Sequence, residues 1–444
     1  MDYCESLAYL LSFADFERSG RFSSRPDVAP VRALLRHLGD PQRGRLTVHV
    51  AGSKGKGSTA AMAVAMLQEC GVRVGMYTSP HLHSFRERIR IDGEPVSAES
   101  FGRLAGELPP AVAAVRREFP ERELVTFDLL TAMGFLAFRE AGASVQVVET
   151  GLGGRVDSTN AVEGKEVCVI TPVSLEHQEI LGETLAAIAA EKAGIVEGGA
   201  VVVMGVQEEE AASVVRRTAA ERGARLVEVS KACQITRLRH SLQGQDFRLR
   251  TPSGEYELHL PLLGRHQLEN AATAVLAVEA LREHGVDISD ADIKKGLAGV
   301  SWPARLEVLR ERPLLLVDGA HNAESARRLR ETLAEEAPGR RAILVVGVSR
   351  DKDIDGIASE LVPAAKRAIA TSSRHPRALA GEAVAASFAE KGVAVSVSPT
   401  VAEAVDAALA GAEADDVVCV AGSLFVAAEA RAHVLGIEEE GGVG

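Results

Sequence analysis

The chain has 444 residues, of which 46% are hydrophobic and 25% charged, a mixture that fits two or three globular domains and excludes disorder as the main state. Its net charge is −12, from 50 basic and 62 acidic residues, with no basic stripe to suggest nucleic acid. Any anionic ligand must then be held by local donors or metal ions.

The opening MDYCESLAYLLSFADFERSG carries acids and no basic n-region, so it reads as neither a secretory signal nor a transit peptide. No apolar run approaches the roughly 20 residues that span a bilayer, so no membrane partner is expected. The five cysteines, Cys4, Cys70, Cys168, Cys233 and Cys419, are widely spaced and never form CxxC. They predict reduced thiols in a cytoplasmic protein rather than a disulfide scaffold or structural zinc.

Short apolar runs then alternate with Ala-rich helical stretches. The predicted strands are LTVHVAG (46–52), VRVGMYT (72–78), VQVVET (145–150), VCVIT (167–171) and AVVVMG (200–205). They are continuously apolar rather than alternating, as when helices cover both faces of a parallel sheet. From 224 to 262, RLVEVS, CQITRLRH, QDFRLRT and EYELHLP alternate and predict a small antiparallel patch. A helix is predicted over 266–284. A second α/β series follows: LLLVDGA (314–320), AILVVGV (342–348), RAIATSS (367–373) and DVVCVAGS (416–423). The tail EEEGGVG is expected to fray.

HVAGSKGKGST (49–59) leaves a predicted strand and enters a helical run. Gly52, Gly55 and Gly57 let backbone N–H groups face anionic oxygens, the helix N-terminus adds its dipole, and Lys56 adds a mobile charge. The strict GxxxxGK[ST] pattern is not met, because Gly57 separates Lys56 from Ser58. A competing parse, Gly55 to Ala60, fits a degenerate dinucleotide fingerprint, but no acid follows about 20 residues on. A Gly-rich turn without ligand also remains open. The mononucleotide reading is favoured.

Glu149 ends an apolar strand at its carboxyl end, where α/β sheets bind ligands, and is followed by ETGLGGRVDSTN glycines at 151, 153 and 154. Alone it could cap a tight turn. His177 follows VCVIT; alone it could be an ordinary polar residue. Together beside a phosphate loop, an oxygen and an imidazole ligand suit Mg²⁺ or Mn²⁺. Lys192, in AEKAG, reads by default as a solvated helix lysine.

These blocks together resemble the folylpolyglutamate synthase / dihydrofolate synthase family, relatives of the Mur ligases. The resemblance rests on HVAGSKGKGST, TSPHL (78–82), RERIRIDGEPVS (86–97), TFDLLT (126–131), VETGLGGRVDSTN, LEHQEILGETLAAIAAEKAGIV, LLGRHQLENAATAV (262–275), WPARLE (302–307), VDGAHNAES (317–325), SRDKD (349–353) and AGSLF (421–425). They run in one order over nearly the whole chain.

The resemblance implies a P-loop-type mononucleotide-binding parallel-sheet domain (1–303), followed by a smaller Rossmann-like glutamate ligase domain (304–444). It implies an ATP-dependent ligase that adds L-glutamate to folates or dihydropteroate through an acyl phosphate. Gly52, Gly55, Lys56, Gly57 and Ser58 would hold ATP phosphates, and Asn270, Arg305 and Asp318 would reach the nucleotide from across a cleft. Ser79, Glu149 and His177 would bind Mg²⁺, in all two ions. Lys192 would take up CO₂ as a carbamate. Lys56, His177 and Lys192 are the catalytic candidates. Thr126, Phe127, Asp128, Leu129, Val156, Asp157 and Ser158 would face the pterin-bearing substrate, and His321 and Ser423 the incoming glutamate.

The chain departs from the family at Asp128 (usually Glu), Glu176 (usually Asp), Lys54 (commonly Asn) and Ala304 (usually Gly). Only 48 residues precede His49, so the extra N-terminal domain of other Mur ligases is not expected. A Mur-type ligase with another acceptor, and a simple NTPase switch, are the competing functions. The expected partners are small molecules bound by a monomer.

Overall fold

The computed structural model describes residues 1–19, 27–438 and 440. Among them the strands form three sheets. The first contains β1 (Leu46–Ala51), β2 (Val74–Tyr77), β3 (Ile89–Ile91), β4 (Glu94–Pro95), β5 (Val145–Glu149), β6 (Val167–Ile170), β7 (Val201–Met204) and β8 (Arg225–Glu228). Their order is β4-β3-β2-β5-β1-β6-β7-β8. Pairing is parallel from β2 to β8, and the β3–β4 hairpin adds an antiparallel edge.

Every residue of β2, β5, β6 and β7 is buried, as two-sided helical cover requires. Val48 and Val50 face helices Lys56–Glu69, Arg265–Leu281 and Asp290–Gly299, meeting Met62, Leu67, Val275 and Ile293. Ala51 faces the opposite side with Ile170, Ile188 and Ile195. Each such buried aliphatic side chain contributes about 1.5–3 kcal/mol relative to exposure. The helix that carries the phosphate loop is therefore pressed onto the sheet from below and from two neighbouring helices.

The second sheet is an antiparallel meander of β9 (Gln234–Ser241), β10 (Gly244–Thr251) and β11 (Gly254–Leu260). RLVEVS was expected to belong to it. It forms β8 instead, the parallel edge of the first sheet beside β7, where Leu226 pairs with Val202 and no residue of the strand is fully buried, as on a half-covered edge.

The third sheet has β12 (Glu307–Glu311), β13 (Leu314–Val317), β14 (Ala342–Val346), β15 (Ala365–Ala370), β16 (Val395–Val397) and β17 (Val417–Ala421), in the order β12-β13-β17-β14-β15-β16. Only the β12–β13 pair is antiparallel. Both α/β series expected from sequence are thus present.

Between the lobes, Ala304 and Leu306 adopt φ of +57° and +47° on either side of Arg305. An L side chain there costs about 1 kcal/mol, which explains why glycine suits position 304. The strained turn is held by Gly319 N–H donating to the Ala304 carbonyl at 3.0 Å and Leu306 N–H donating to Asp318 Oδ2 at 2.8 Å. The tail is more ordered than expected at one point: Glu440 accepts from Arg86 Nε and Ser84 Oγ, each at 2.8 Å. Its neighbour at 439 and residues 441–444 lie outside the described residues.

Helix Asp290–Gly299 touches the phosphate-loop helix backbone at Gly296, where an added Cβ would lie 2.4 Å from Met66 Cα. Gly296→Ala is expected to cost about 1–3 kcal/mol and lower the melting temperature. An unchanged melting temperature would contradict this packing.

Candidate active site

The first sheet delivers its loops at the carboxyl ends of β1, β5 and β6, where an open α/β sheet has its topological switch. After β1, Gly52 takes φ +148°, and a Cβ there would lie 1.9 Å from Thr171 Oγ1. Gly55 takes φ +84° as the N-cap of helix Lys56–Glu69, and a Cβ there would lie 2.3 Å from Asn270 Oδ1. Only glycine permits both. The loop is fastened to the strand behind it, with Ser53 N–H and Lys54 N–H donating to the Pro172 carbonyl at 2.9 and 3.0 Å.

Charge then converges on one carbonyl. Lys192 Nζ donates to the Gly52 carbonyl at 2.8 Å, and Lys56 Nζ donates to it at 3.2 Å. Glu176 bridges two more contacts, accepting from Lys192 at 3.3 Å on one oxygen and from Lys54 at 3.3 Å on the other. Lys56 Nζ also lies 3.8 Å from Glu149, whose other oxygen accepts from Ser79 N–H at 3.4 Å. Lys192 is only 2% exposed, so it is no solvated helix lysine.

Burial dominates the titration of this cluster. It lowers the Lys192 amine to about 8, against the pull of Glu176. It lowers His177 to about 4, so the ring is neutral at neutral pH. It raises Glu149 to about 7, opposed by Lys56 and Arg305. Burial would raise Glu176 too, but Lys54, Lys192 and Lys56 overcome it and hold that carboxyl well below the usual range.

Beside this lies a second group of side chains. The Phe127 ring packs so closely on Gly151 that a Cβ there would lie 2.5 Å away, and it sits 5.8 Å from the Tyr77 ring. Asp128 accepts from Ser158 Oγ at 2.5 Å and from Val125 N–H at 2.8 Å. Asp157 accepts from Leu152 N–H at 2.8 Å and from Thr159 Oγ1 at 2.5 Å. Thr126 Oγ1 donates to the Leu10 carbonyl at 3.0 Å.

The other lobe contributes Asp318, just after β13, which accepts from Leu306 and Ala320 N–H groups at 2.8 Å each. His321 Nδ1 is 2.8 Å from the Gly319 carbonyl. Ser423 caps helix Leu424–Leu435 and accepts from Phe425 N–H at 3.2 Å. Asn270, expected across the cleft, stands instead on the first lobe's helix Arg265–Leu281 beside Gly55, where its Nδ2 donates to Gln267 at 2.9 Å.

Thr126, Phe127, Asp128, Asp157, Ser158, Asn270, Asp318, His321 and Ser423 line one cavity of about 430 Å³ between the lobes, together with Lys54, Gly55, Lys56, Gly57, Ser58, Ser79, Glu149, Val156, Glu176, His177, Lys192 and Arg305. Two expected residues do not line it. Gly52 sits behind the loop and presents only its carbonyl to the lysines. Leu129 is fully buried in the core of the first lobe, because one helical step turns it away while Leu130 faces the cavity.

Among the described residues no three His, Cys, Asp or Glu side chains converge as a cation site. The Glu149 carboxylate and the Ser79 hydroxyl nevertheless offer hard oxygen donors, and the neutral His177 ring a nitrogen donor, a set that would suit Mg²⁺ brought with a nucleotide.

Residues 50–278 match the Mur ligase middle domain, and residues 304–424 match the Mur ligase glutamate ligase domain. The dihydrofolate synthase/folylpolyglutamate synthase of Bacillus subtilis is 37% identical over 362 residues, 81% of this chain and 84% of that protein. The chain belongs to the folylpolyglutamate synthase / dihydrofolate synthase family of Mur ligases. That membership makes it an ATP-dependent ligase. The structure of Mycobacterium tuberculosis folylpolyglutamate synthase complexed with ADP superposes with a TM-score of 0.90 at 34% identity, covering 99% of this chain and 100% of that one. The Escherichia coli FolC structure in complex with DHPP and ADP gives a TM-score of 0.85 at 28% identity, covering 97% and 96%.

Several cavity residues had no role assigned from sequence. Glu176 and Lys54 appeared only as departures from the family; their charges and their place in two motifs were the signal. Lys352 and Arg377 line the cavity from the second lobe and share Asp351, at 2.9 and 3.4 Å. SRDKD carried Lys352 in plain view. Arg88, which is buried and bonds His81 at 2.9 Å, stood in a quoted motif as well.

Burial raises the Asp128 carboxyl from 3.8 to about 6, against the Ser158 hydrogen bond. A folded-state value above the unfolded one favours folding at low pH, and that contribution is lost as pH rises through the window from 3.8 to about 6. The ligand-free protein is expected to lose up to about 3 kcal/mol of stability across that window through this group. Denaturant titrations at several pH values should show that component missing in Asp128→Asn; an identical pH slope in the variant would contradict it.

Proposed function

We propose that the chain adds L-glutamate to dihydropteroate, to reduced folates, or to both, with ATP as the activating substrate. The observation that carries this reading is the placement of Lys56, Lys192 and Lys54 around Glu176 and Glu149, in a cavity whose opposite wall holds Asp318, His321 and Ser423. Relatives bearing the family name and a neighbour complexed with DHPP and ADP support it.

The chemistry explains the cluster. A carboxylate repels an amine nucleophile and has no good leaving group. One of its oxygens therefore bonds to the γ-phosphorus of ATP as the β,γ-bridging P–O bond breaks and ADP departs. The resulting acyl phosphate is attacked by the unprotonated α-amine of glutamate. The new C–N bond forms, the amine proton leaves, and phosphate departs with its bonding pair. The obstacle in the first half is repulsion between the triphosphate and the incoming carboxylate. Lys56, at the helix N-terminus, offsets that charge in a desolvated cleft, where a fixed cation contributes several kcal/mol.

Gly55, Lys56, Gly57 and Ser58 are assigned to the phosphates, with Gly52 as the carbonyl that fixes the lysines. Arg305 and Asp318 are assigned to the nucleotide from the other side of the cleft, and Asn270 from the phosphate-loop side, because its helix Arg265–Leu281 packs on the first sheet beside Gly55 rather than across the cleft. Ser79, Glu149 and His177 would hold Mg²⁺, two ions in all, which when bound supplies further neutralisation of the triphosphate. Phe127, Asp128, Val156, Asp157 and Ser158 are assigned to the pterin end of the acceptor, and His321 and Ser423 to glutamate. Leu129 supports that wall from the core rather than touching it.

A carbamate on Lys192 fits the lowered amine, about a tenth of which is unprotonated at neutral pH. The modification replaces a cation held by Gly52 and Glu176 with an anion, so Glu176 would turn wholly to Lys54. The division between the ATP-binding part (1–303) and the glutamate ligase part (304–444) is placed at the strained turn around Arg305. The same reading takes the chain as a cytoplasmic monomer. Among the described residues no helix is long and apolar enough to cross a membrane.

ADP release is expected only when ATP, L-glutamate and either dihydropteroate or tetrahydrofolate are all present, and Lys56→Met should reduce kcat at least about a hundredfold. ADP release without glutamate would favour an NTPase switch. Glutamate-dependent release with neither pterin acceptor would favour another Mur-type acceptor.

A further inference from the structure

His49 is a buried polar side chain that the mechanism above does not use. It lies on β1, three residues before Gly52, and is 0% exposed. Its Nε2 is 2.9 Å from Thr159 Oγ1, and Thr159 Oγ1 is 2.5 Å from Asp157 Oδ1. The proton positions follow from counting. Asp157 Oδ1 takes the single hydroxyl proton of Thr159, so the bond from His49 must be donated by its Nε2–H. Its Nδ1 is then the proton-free nitrogen, and Nδ1 is indeed buried with no partner. Burial holds the ring neutral by pushing its pKa well below the usual value. The relay therefore has one direction, from His49 through Thr159 to Asp157.

What the relay ends on matters. Asp157 lines the cavity and is also fixed by N–H groups of Thr159 at 3.1 Å and Leu152 at 2.8 Å. The two Thr159 donors fill Oδ1, while Oδ2 accepts from Leu152 and keeps one lone pair as the acceptor available to a ligand. Its neighbour Ser158 commits its own proton to Asp128 at 2.5 Å. Two carboxylates with preset protons thus stand side by side at the acceptor end, suited to a heterocycle edge rich in N–H donors.

We propose that His49 and Thr159 are positioning residues for the acceptor: through a one-way hydrogen-bond relay they fix the Asp157 carboxylate that reads the N–H edge of the heterocycle, and they tie it to the strand that carries the phosphate loop. This rests on the acceptor reading given above. Removing the Thr159 hydroxyl takes away the shortest of the three hydrogen bonds that fix Asp157 and leaves the His49 N–H buried without a partner. The backbone N–H cap on Asp157 remains, so the short helix it starts, Ser158–Ala161, is retained.

The test is steady-state kinetics with ATP, L-glutamate and whichever of dihydropteroate or tetrahydrofolate supports ADP release in the unaltered protein. Thr159→Val should raise the acceptor KM by about 10- to 100-fold, the loss of one charge-assisted hydrogen bond, while the ATP KM stays within about twofold. Thr159→Ser should restore the acceptor KM. His49→Gln, which can place an amide N–H where Nε2–H stood, should behave like the parent, and His49→Leu like Thr159→Val. An unchanged acceptor KM in Thr159→Val, or equal rises in the acceptor and ATP KM that serine does not reverse, would overturn the proposal. If Thr159→Val does not fold, the His49 pair decides it by the same readout. If neither pterin acceptor supports turnover in the unaltered protein, the functional reading fails before the relay is tested.

Discussion

The carbonyl oxygen of Gly52 accepts from two lysines, and the Glu176 carboxylate is shared between one of them and a third. Burying three ammonium groups is costly unless each finds an acceptor. Glu176 and Glu149 supply the negative charge, but two carboxylates do not cancel three cations. With Lys192 unmodified, the excess positive charge sits where the phosphate loop faces the cavity, and a triphosphate is the kind of ligand that completes it; with Lys192 carbamylated, that excess would have to come from the bound Mg²⁺. The loop glycines, the tight contact at Gly296 and the β1–β6 register all serve to hold that carbonyl and these side chains at fixed separations.

The second lobe makes the site more than a nucleotide cradle. An acyl phosphate hydrolyses in open water, so a ligase needs walls on both sides. Asp318, His321 and Ser423 provide the opposite wall at the carboxyl ends of β13 and β17. Arg305 lies in the turn between lobes, flanked by two residues in left-handed conformation, and acts electrostatically on both Glu149 and Asp318. One residue in the turn between the lobes thus acts on carboxylates of both.

Much of this was legible in the sequence for a physical reason. Strands buried on both faces must be continuously apolar, so the central strands of both parallel sheets stood out. Short or half-covered edge strands lack that signature: β3, β4, β12 and β16 gave no usable pattern, and β8 looked like part of the neighbouring meander. The motif blocks carried most of the cavity residues, but not those from the N-terminal segment, such as Phe16 and Glu17, nor Arg122, Arg328 and Arg377. What they could not show was side-chain direction, which placed Leu129 in the core, or pairing across distance. Lys54 and Glu176 meet although 122 residues separate them, and each looked like an isolated departure until the fold joined them. Glu440 likewise finds Arg86 although 354 residues apart, in a tail whose composition suggested no partner.

The central claim is that the cation cluster makes a carboxylate phosphorylatable. It is tested most directly by following the oxygen atoms. With the acceptor's carboxylate labelled with ¹⁸O, turnover in the presence of ATP and L-glutamate should place one labelled oxygen in each phosphate released. Phosphate carrying no label, alongside normal formation of the amide, would contradict the account.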